Sequence, residues 1–354
     1  MPAAAADTDD IDAALPASLV AAVAHFTTTM RHIEWRIERP LDGRPLDDAE
    51  TQARTSAACS GLAAAFRDHV RGAPHLEPAI GRYVAREASG FLMRSASFDR
   101  WLTKPRGYAG DYYTIELLYD DRPAGDGRLG HFIDRWALDL AAVQAVRNRR
   151  GLLARAIRDV ADDVADAGEG TPVRVTSLAS GPAREVLDVL AAPDAPPLRA
   201  TCIDIDAEAV AYAAERAREL GVADRVVFAQ DNVLRLSRGR GRTTLAPQHM
   251  IYSVGLIDYL AGDHIVRLLD WAHDQLVPGG TVVLGNFDVE NPDRMLMDHV
   301  MEWRLIHRTA DDLRALFARS RFGDAAVDVR AEAQGINLFA FCTRPSGGGV
   351  RRAA

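Results

Sequence analysis

Residues 173–185 read Val-Arg-Val-Thr-Ser-Leu-Ala-Ser-Gly-Pro-Ala-Arg-Glu, and residues 198–206 read Leu-Arg-Ala-Thr-Cys-Ile-Asp-Ile-Asp. Each is a short apolar run that ends on small or acidic residues. The first predicts a strand over Val173–Leu178, closed by a tight turn around Gly181. The second predicts a strand over Arg199–Ile205. A helix should follow it. Asp206 can cap that helix, Val210, Ala213, Ala214 and Ala217 can form its buried side, and Gly221 can end it. Further strands are expected at Arg225–Ala229, His249–Ser253, Thr281–Phe287 and Asn337–Cys342, the last paired with Ala325–Val329. Strands alternating with helices imply right-handed crossovers and a parallel sheet covered on both faces.

Upstream the pattern is helical. Asp47 and Glu50 form a capping-box pattern before an Ala-rich segment that runs to about Val70, with Ala53, Ala57, Leu62 and Phe66 at helical spacing. After the break Gly72-Ala73-Pro74, a second helix is expected over Glu77–Leu92. Trp101–Asp111 (WLTKPRGYAGD) reads as an ordered loop, and a long helix is expected from Leu138 to about Val164. Residues 166–172 have linker composition. These signals set the expected boundaries: a disordered tail over 1–15, a helical cap or substrate domain over 16–165, the sheet domain over 171–345 and a flexible tail over 346–354.

Composition excludes several classes. With 354 residues, 48% hydrophobic and 26% charged, the chain is long enough for two globular domains and is not disordered. A net charge of −8 supplies no basic field for nucleic acid. No D/N-P-P-Y motif or basic aromatic stripe is present, so no nucleic-acid partner is expected. Cys59, Cys202 and Cys342 are too far apart for a zinc pattern or disulfide framework, so no metal is expected and a reducing compartment is. The acidic N-terminus lacks the positive start of a secretory signal, and no run is long enough to span a membrane. The expectation is a cytoplasmic protein, with a homodimer left open.

In open α/β sheets ligands bind beyond the carboxyl ends of the strands. The small residues around Ser180 and Gly181 let the backbone turn sharply and approach a ligand. Asp204 lies 23 positions after Gly181, a spacing at which a carboxylate can accept both hydroxyls of a ribose; the alternative is a simple turn residue. Ile205 follows it. Asp231 and Asn232 follow the third strand and could read an adenine edge. Ser253 ends the fourth strand and is a candidate by position. The dinucleotide pattern G-x-G-x-x-G does not follow the first strand, and a P-loop lysine is absent.

Residues 173–342 resemble class I S-adenosylmethionine methyltransferases. The loop Ser-Leu-Ala-Ser-Gly-Pro-Ala-Arg-Glu (177–185) is similar to that family's first motif, and Leu276-Val277-Pro278-Gly279-Gly280 to its L-x-P-G-G turn. Ser177 stands where an acid is common, and Ala179 and Ala183 where glycines are. A closer resemblance rests on Lys104–Tyr112 (KPRGYAGDY), Ala145–Arg150 (AVRNRR), Tyr252–Leu260 (YSVGLIDYL) and Met301–Thr309 (MEWRLIHRT). These are similar to bacterial methyltransferases of 3-hydroxypalmitic acid methyl ester biosynthesis, which methylate a carboxylate. The resemblance implies an α/β fold, a Rossmann-like seven-stranded methyltransferase sheet behind an N-terminal helical domain. It also implies S-adenosylmethionine as cofactor.

Methyl transfer needs positioning more than acid–base help. A carboxylate acceptor needs no base; a hydroxyl or amine gains from one. Tyr108, with Lys104 and Arg106 beside it, is a candidate lid residue toward the cofactor or acceptor; the alternative is an aromatic plug. Asp258 and Tyr259 follow the fourth strand as acceptor-side candidates, or as a helix start with Tyr259 in the core. His307 is a candidate base, although MEWRLIHRT also fits an amphipathic helix. The charges of Arg147–Arg150 read most simply as a solvated helix face. The expected activity is methylation of a small molecule, a fatty or similar carboxylate first. Another metabolite's oxygen or nitrogen, a protein carboxylate, and a non-catalytic cofactor sensor or scaffold are the alternatives.

Overall fold

The computed structural model describes residues 15–39, 47–168 and 172–346. The expected tails and part of the linker therefore lie outside the described residues. In chain order the helices of the first half are α1 (Ala17–Glu38), α2 (Asp48–Gly72), α3 (Glu77–Leu92), α4 (Ala96–Thr103), α5 (Tyr112–Asp120), α6 (Gly127–Leu138) and α7 (Ala141–Asp166). The second half runs β1 (Val173–Leu178), α8 (Arg184–Ala191), β2 (Leu198–Asp204), α9 (Ala207–Glu219), β3 (Val226–Gln230), α10 (Val233–Leu236) and β4 (Gln248–Val254). It continues through α11 (Gly262–Gln275), β5 (Leu276–Phe287), α12 (Arg294–His299), α13 (Ala310–Ala318), β6 (Val327–Ala331) and β7 (Asn337–Thr343).

Contacts divide the chain into two compact units, and these do not follow chain order. One comprises residues up to 109, 120–144 and 291–304; the other comprises 110–119, 145–290 and 305 onward. Thus residues 110–119 and most of α7 group with the sheet.

The first unit is helical. α1 buries Leu19, Val23, Phe26, Met30 and Ile33, spaced three and four apart as one face of a helix requires. The Asp47 carboxylate accepts the Glu50 N–H and caps α2. The buried stripe of α2 is shifted from the expected one: Thr51, Thr55, Ala58, Leu62 and Phe66 face inward, whereas Ala53 and Ala57 are exposed. The threonines can be buried because each hydroxyl donates to the carbonyl one turn back, Asp47 for Thr51 and Thr51 for Thr55. Trp101 lies in α4, so the expected loop starts only at Lys104, whose left-handed backbone (φ 46°) ends that helix.

The second unit is built on a seven-stranded sheet in the order β3-β2-β1-β4-β5-β7-β6. β1 to β5 run parallel, and β7 pairs antiparallel with both β5 and β6. One face buries Leu153 and Ile157 of α7 with Val186, Leu187 and Ala213; the other buries Leu268 of α11 and Leu316 of α13 with Ile203 and Ile251. The strand order reverses between β1 and β4, which places the switch point beside the turn after β1. Leu178 pairs with Ile203 of β2 and Ser253 of β4, so these three strand tips lie level. β5 begins earlier than expected. Leu276 pairs with Gln248 and Thr281 with Met250, so Pro278 and Gly279 form a bulge inside the strand instead of a turn ahead of it.

Candidate functional site

The turn after β1 has an alternating backbone. Ala179, Gly181 and Ala183 all take left-handed conformations, at φ 53°, 50° and 51°. Glycine adopts this freely; alanine loses about 1–2 kcal/mol. The two alanines thus keep the shape that glycines would give, because two hydrogen bonds to β2 fix it and a third holds the Asp204 carboxylate. Ser180 N–H donates to the Ile203 carbonyl (3.1 Å). Gly181 N–H donates to Asp204 Oδ2 (2.7 Å), and Asp206 N–H to Asp204 Oδ1 (2.9 Å). Replacing Ala179, which is half-buried, with glycine should relieve strain and raise stability. After the extra unfolded-state entropy of glycine, the net gain should be roughly 0.5–1 kcal/mol, read as a small rise in Tm. No rise would mean that the turn is not strained.

Asp204 is buried, and burial raises its pKa above the ordinary carboxylate value although the Asp206 and Gly181 N–H groups oppose the shift. Each oxygen keeps acceptor capacity, since a carboxylate offers about four lone-pair sites. Ile205 beside it is 60% exposed. Asp231 is more fully engaged. Its Oδ1 accepts the Asn232 N–H, and its Oδ2 the N–H groups of Arg242 and Thr243. Burial works to raise its pKa, but these donors hold it below the usual value. Its carboxylate folds the loop after α10, a constraint that no local sequence pattern announces. Asn232 caps α10 by accepting the Arg235 N–H. Ser253 is fully buried and donates to the Leu178 carbonyl, fastening the tips of β1 and β4. Tyr112, in the KPRGYAGDY segment but not chosen from it, lies against the turn: a β-carbon on Gly181 would meet its Cβ at 4.0 Å.

Of the acceptor-side candidates, Asp258 and the His307 segment meet beside Phe287. Asp258 is buried after β4; it accepts the Phe287 N–H with Oδ1 (2.8 Å) and the Ile306 N–H with its carbonyl (2.7 Å). Burial pushes its pKa up to about 6, against the Phe287 N–H and the charges of Arg149 and Arg308. Arg308, buried as well, donates to the carbonyls of Ile257 and Leu260 and to Asn286 Oδ1. Tyr259 is 45% exposed instead of in the core. MEWRLIHRT is not a helix. Glu302 has φ 49°, and 302–309 is irregular, with Ile306 N–H and Arg308 N–H bonded to the carbonyls of Asp258 and Phe287 instead of within a helix. His307 is half-buried, with its ring 6.3 Å from that of Phe287. Tyr108 is 42% exposed and belongs to the helical unit.

The Arg147–Arg150 run is not a solvated face. Arg147 donates to the Leu118 carbonyl, Asn148 to Glu332, and Arg150 to both oxygens of Asp188, while Arg149 is buried. Each partner is remote in sequence, which is why charge density alone misread the segment.

Asp258 also gives a pH prediction. Its carboxyl is more basic folded than at its ordinary value of 3.8, so between about pH 4 and 6 the folded state binds the extra proton. Stability should fall as pH rises through that window and level off above it. The penalty at neutral pH is up to about 3 kcal/mol. Asp258→Asn should flatten that part of the profile in urea titrations from pH 4.5 to 7.5. A parallel fall in the variant would assign it to other groups.

The arrangement fits an adenosyl ligand. A β-carbon at Gly181 would meet nothing closer than 4.0 Å, so the turn leaves its backbone approachable. Asp204 supplies acceptors suited to a diol, and Ile205 an exposed apolar surface. Among the described residues no helix is long and apolar enough to cross a membrane.

Comparison with known proteins bears on this geometry. The chain is similar over 94% of its length, and 99% of the other, to a structure described as a "possible exported protein" from Bordetella parapertussis, at 18% identity and TM-score 0.54. It is also similar to the S-adenosylmethionine-dependent methyltransferase SibL (16% identity, 93% and 99% covered, TM-score 0.45). A third is magnesium protoporphyrin IX methyltransferase of Synechocystis PCC 6803 with bound SAH (12% identity, 75% and 99% covered, TM-score 0.43). At these identities the first likeness speaks of the fold alone, and the two lower scores add nothing to it. No curated protein matches. A family model described as "Putative methyltransferase" matches residues 72–322. That span is well over half of the chain, which therefore belongs to this methyltransferase family.

Proposed function

We propose that the chain binds S-adenosylmethionine at the tips of β1, β2 and β4 and methylates a small molecule, a carboxylate first among acceptors. The carrying observation is the Gly181 N–H to Asp204 hydrogen bond beside the sheet's switch point. When bound, the cofactor supplies a methyl group already activated on a sulfonium. The chain's part is to hold it: Asp204 toward the ribose, Gly181 and Ser180 as the approachable turn, Ile205 along the base.

The engagement of Asp258 favours a carboxylate acceptor. Its oxygen and carbonyl hold Phe287 and Ile306, which suits a structural role better than a moving proton. A carboxylate brings its own nucleophile and needs no base. The two alanines keep the left-handed turn, which removes the main support for a non-catalytic reading.

Calorimetry with S-adenosylhomocysteine, followed by mass spectrometry of a panel of hydroxy and fatty acids incubated with S-adenosylmethionine, tests both halves. Saturable binding and an acid converted to its methyl ester are expected. No binding at millimolar concentration would end the cofactor reading. Binding, with methylation of hydroxyls or amines but of no acid, would end the carboxylate reading.

A further inference from the structure

The AVRNRR segment leaves one charge unaccounted for. Arg149 lies on α7 and is buried, 9% exposed as a residue. It sits against Gly255, just past the tip of β4. A β-carbon there would be 3.4 Å from one terminal nitrogen and 4.0 Å from Cζ. Its charge reaches the hydroxyl of Tyr119 on α5. The acids whose charges reach it are engaged elsewhere: Glu185 accepts from the Tyr252 hydroxyl, and Asp258 from the Phe287 N–H. Among the described residues Arg149 forms no ion pair.

A buried cation without a counter-ion is costly, and is retained where an anion arrives to meet it. Its position narrows the anion. Gly255 follows the strand next to β1, so the guanidinium lies beside the strand tips that the proposed cofactor site uses. S-adenosylmethionine carries one carboxylate, on its methionine portion. We infer that Arg149 holds that carboxylate. A planar guanidinium can give two parallel N–H groups to a carboxylate. The inference rests on the cofactor reading above.

The test uses two ligands that differ in this portion: S-adenosylhomocysteine, which keeps the carboxylate, and 5′-methylthioadenosine, which lacks the whole amino-acid part. Calorimetry on the wild type, Arg149→Gln and Arg149→Lys reads the affinities. Arg149→Gln should weaken S-adenosylhomocysteine by about 10- to 150-fold, the range of a charged hydrogen bond, and leave methylthioadenosine within about twofold. Arg149→Lys should lose less, since it keeps the charge but not the fork. Equal weakening of both ligands, or of neither, overturns the assignment. If Arg149→Gln does not fold, the Lys variant decides: it must discriminate less between the two ligands than the wild type does, and undiminished discrimination overturns the assignment. Binding of neither ligand by the wild type removes the cofactor reading itself, a result distinct from either.

Discussion

Asp204→Ala is expected to cost the protein both its cofactor affinity and part of its stability. Under the proposed cofactor reading the carboxylate has two tasks. Inside the fold it accepts the Gly181 and Asp206 N–H groups, tying the turn after β1 to the tip of β2. Toward the ligand it offers the remaining lone pairs. Alanine removes both. Loss of a charged hydrogen bond to the ribose should weaken S-adenosylhomocysteine by about 10- to 150-fold, or 1.5–3 kcal/mol. The two stranded N–H groups should lower stability by roughly 1–3 kcal/mol each to the extent that water cannot reach them. Asp204→Asn should fall between, since the amide keeps one acceptor but points an NH2 where an N–H needs an oxygen. Calorimetry at a temperature where each variant is folded separates the two effects. Unchanged affinity in a folded Asp204→Ala protein would leave the carboxylate as a turn residue only.

The largest loss of stability is expected at Arg308. Its guanidinium satisfies the carbonyls of Ile257 and Leu260 and Asn286 Oδ1, and its charge faces the buried Asp258. Asn286 in turn donates to the carbonyls of Phe287 and Ile306. This knot fixes the segments after β4 and β5 against each other. Arg308→Met keeps an apolar stem of similar length but strands three acceptors beside an acid that has lost a neutralising charge. A loss of about 3–5 kcal/mol follows, the usual result of removing one partner from a buried charged network. Urea denaturation at pH 7 reads it directly. Removal of a nearby cation should also raise the Asp258 pKa further, so the deficit should shrink as pH is lowered toward 5. A loss below about 1 kcal/mol would mean that the network is solvated.

Local signals carried much of the fold. Val173–Leu178 was legible because an apolar run ended at Gly181, and α9 because Asp206 caps it and Ala213 and Ala217 fall on one face. The misreadings share a cause: a distant partner overrode a local pattern. Glu302, Trp303, Ile306 and His307 fit an amphipathic helix, but backbone bonds to Asp258 and Phe287, beyond β4 and at the end of β5, hold their segment out of one. The glycines of LVPGG look like a turn, yet Gln248 and Met250 draw them into a bulge. Arg149 looked solvated because neither Tyr119 nor Gly255 is near it in sequence. At the candidate site the spacing from Gly181 to Asp204 was readable, since parallel neighbouring strands put their ends side by side. The saturation of Asp231 by the N–H groups of Arg242 and Thr243 was not, because it depends on how a ten-residue loop closes.

The most direct measurement is a crystal structure of the chain with S-adenosylhomocysteine. The account predicts the ribose hydroxyls on the Asp204 carboxylate, with the thioether passing over the turn at Gly181. A ligand bound at another edge of the sheet, or an Asp204 that touches no part of it, would contradict it.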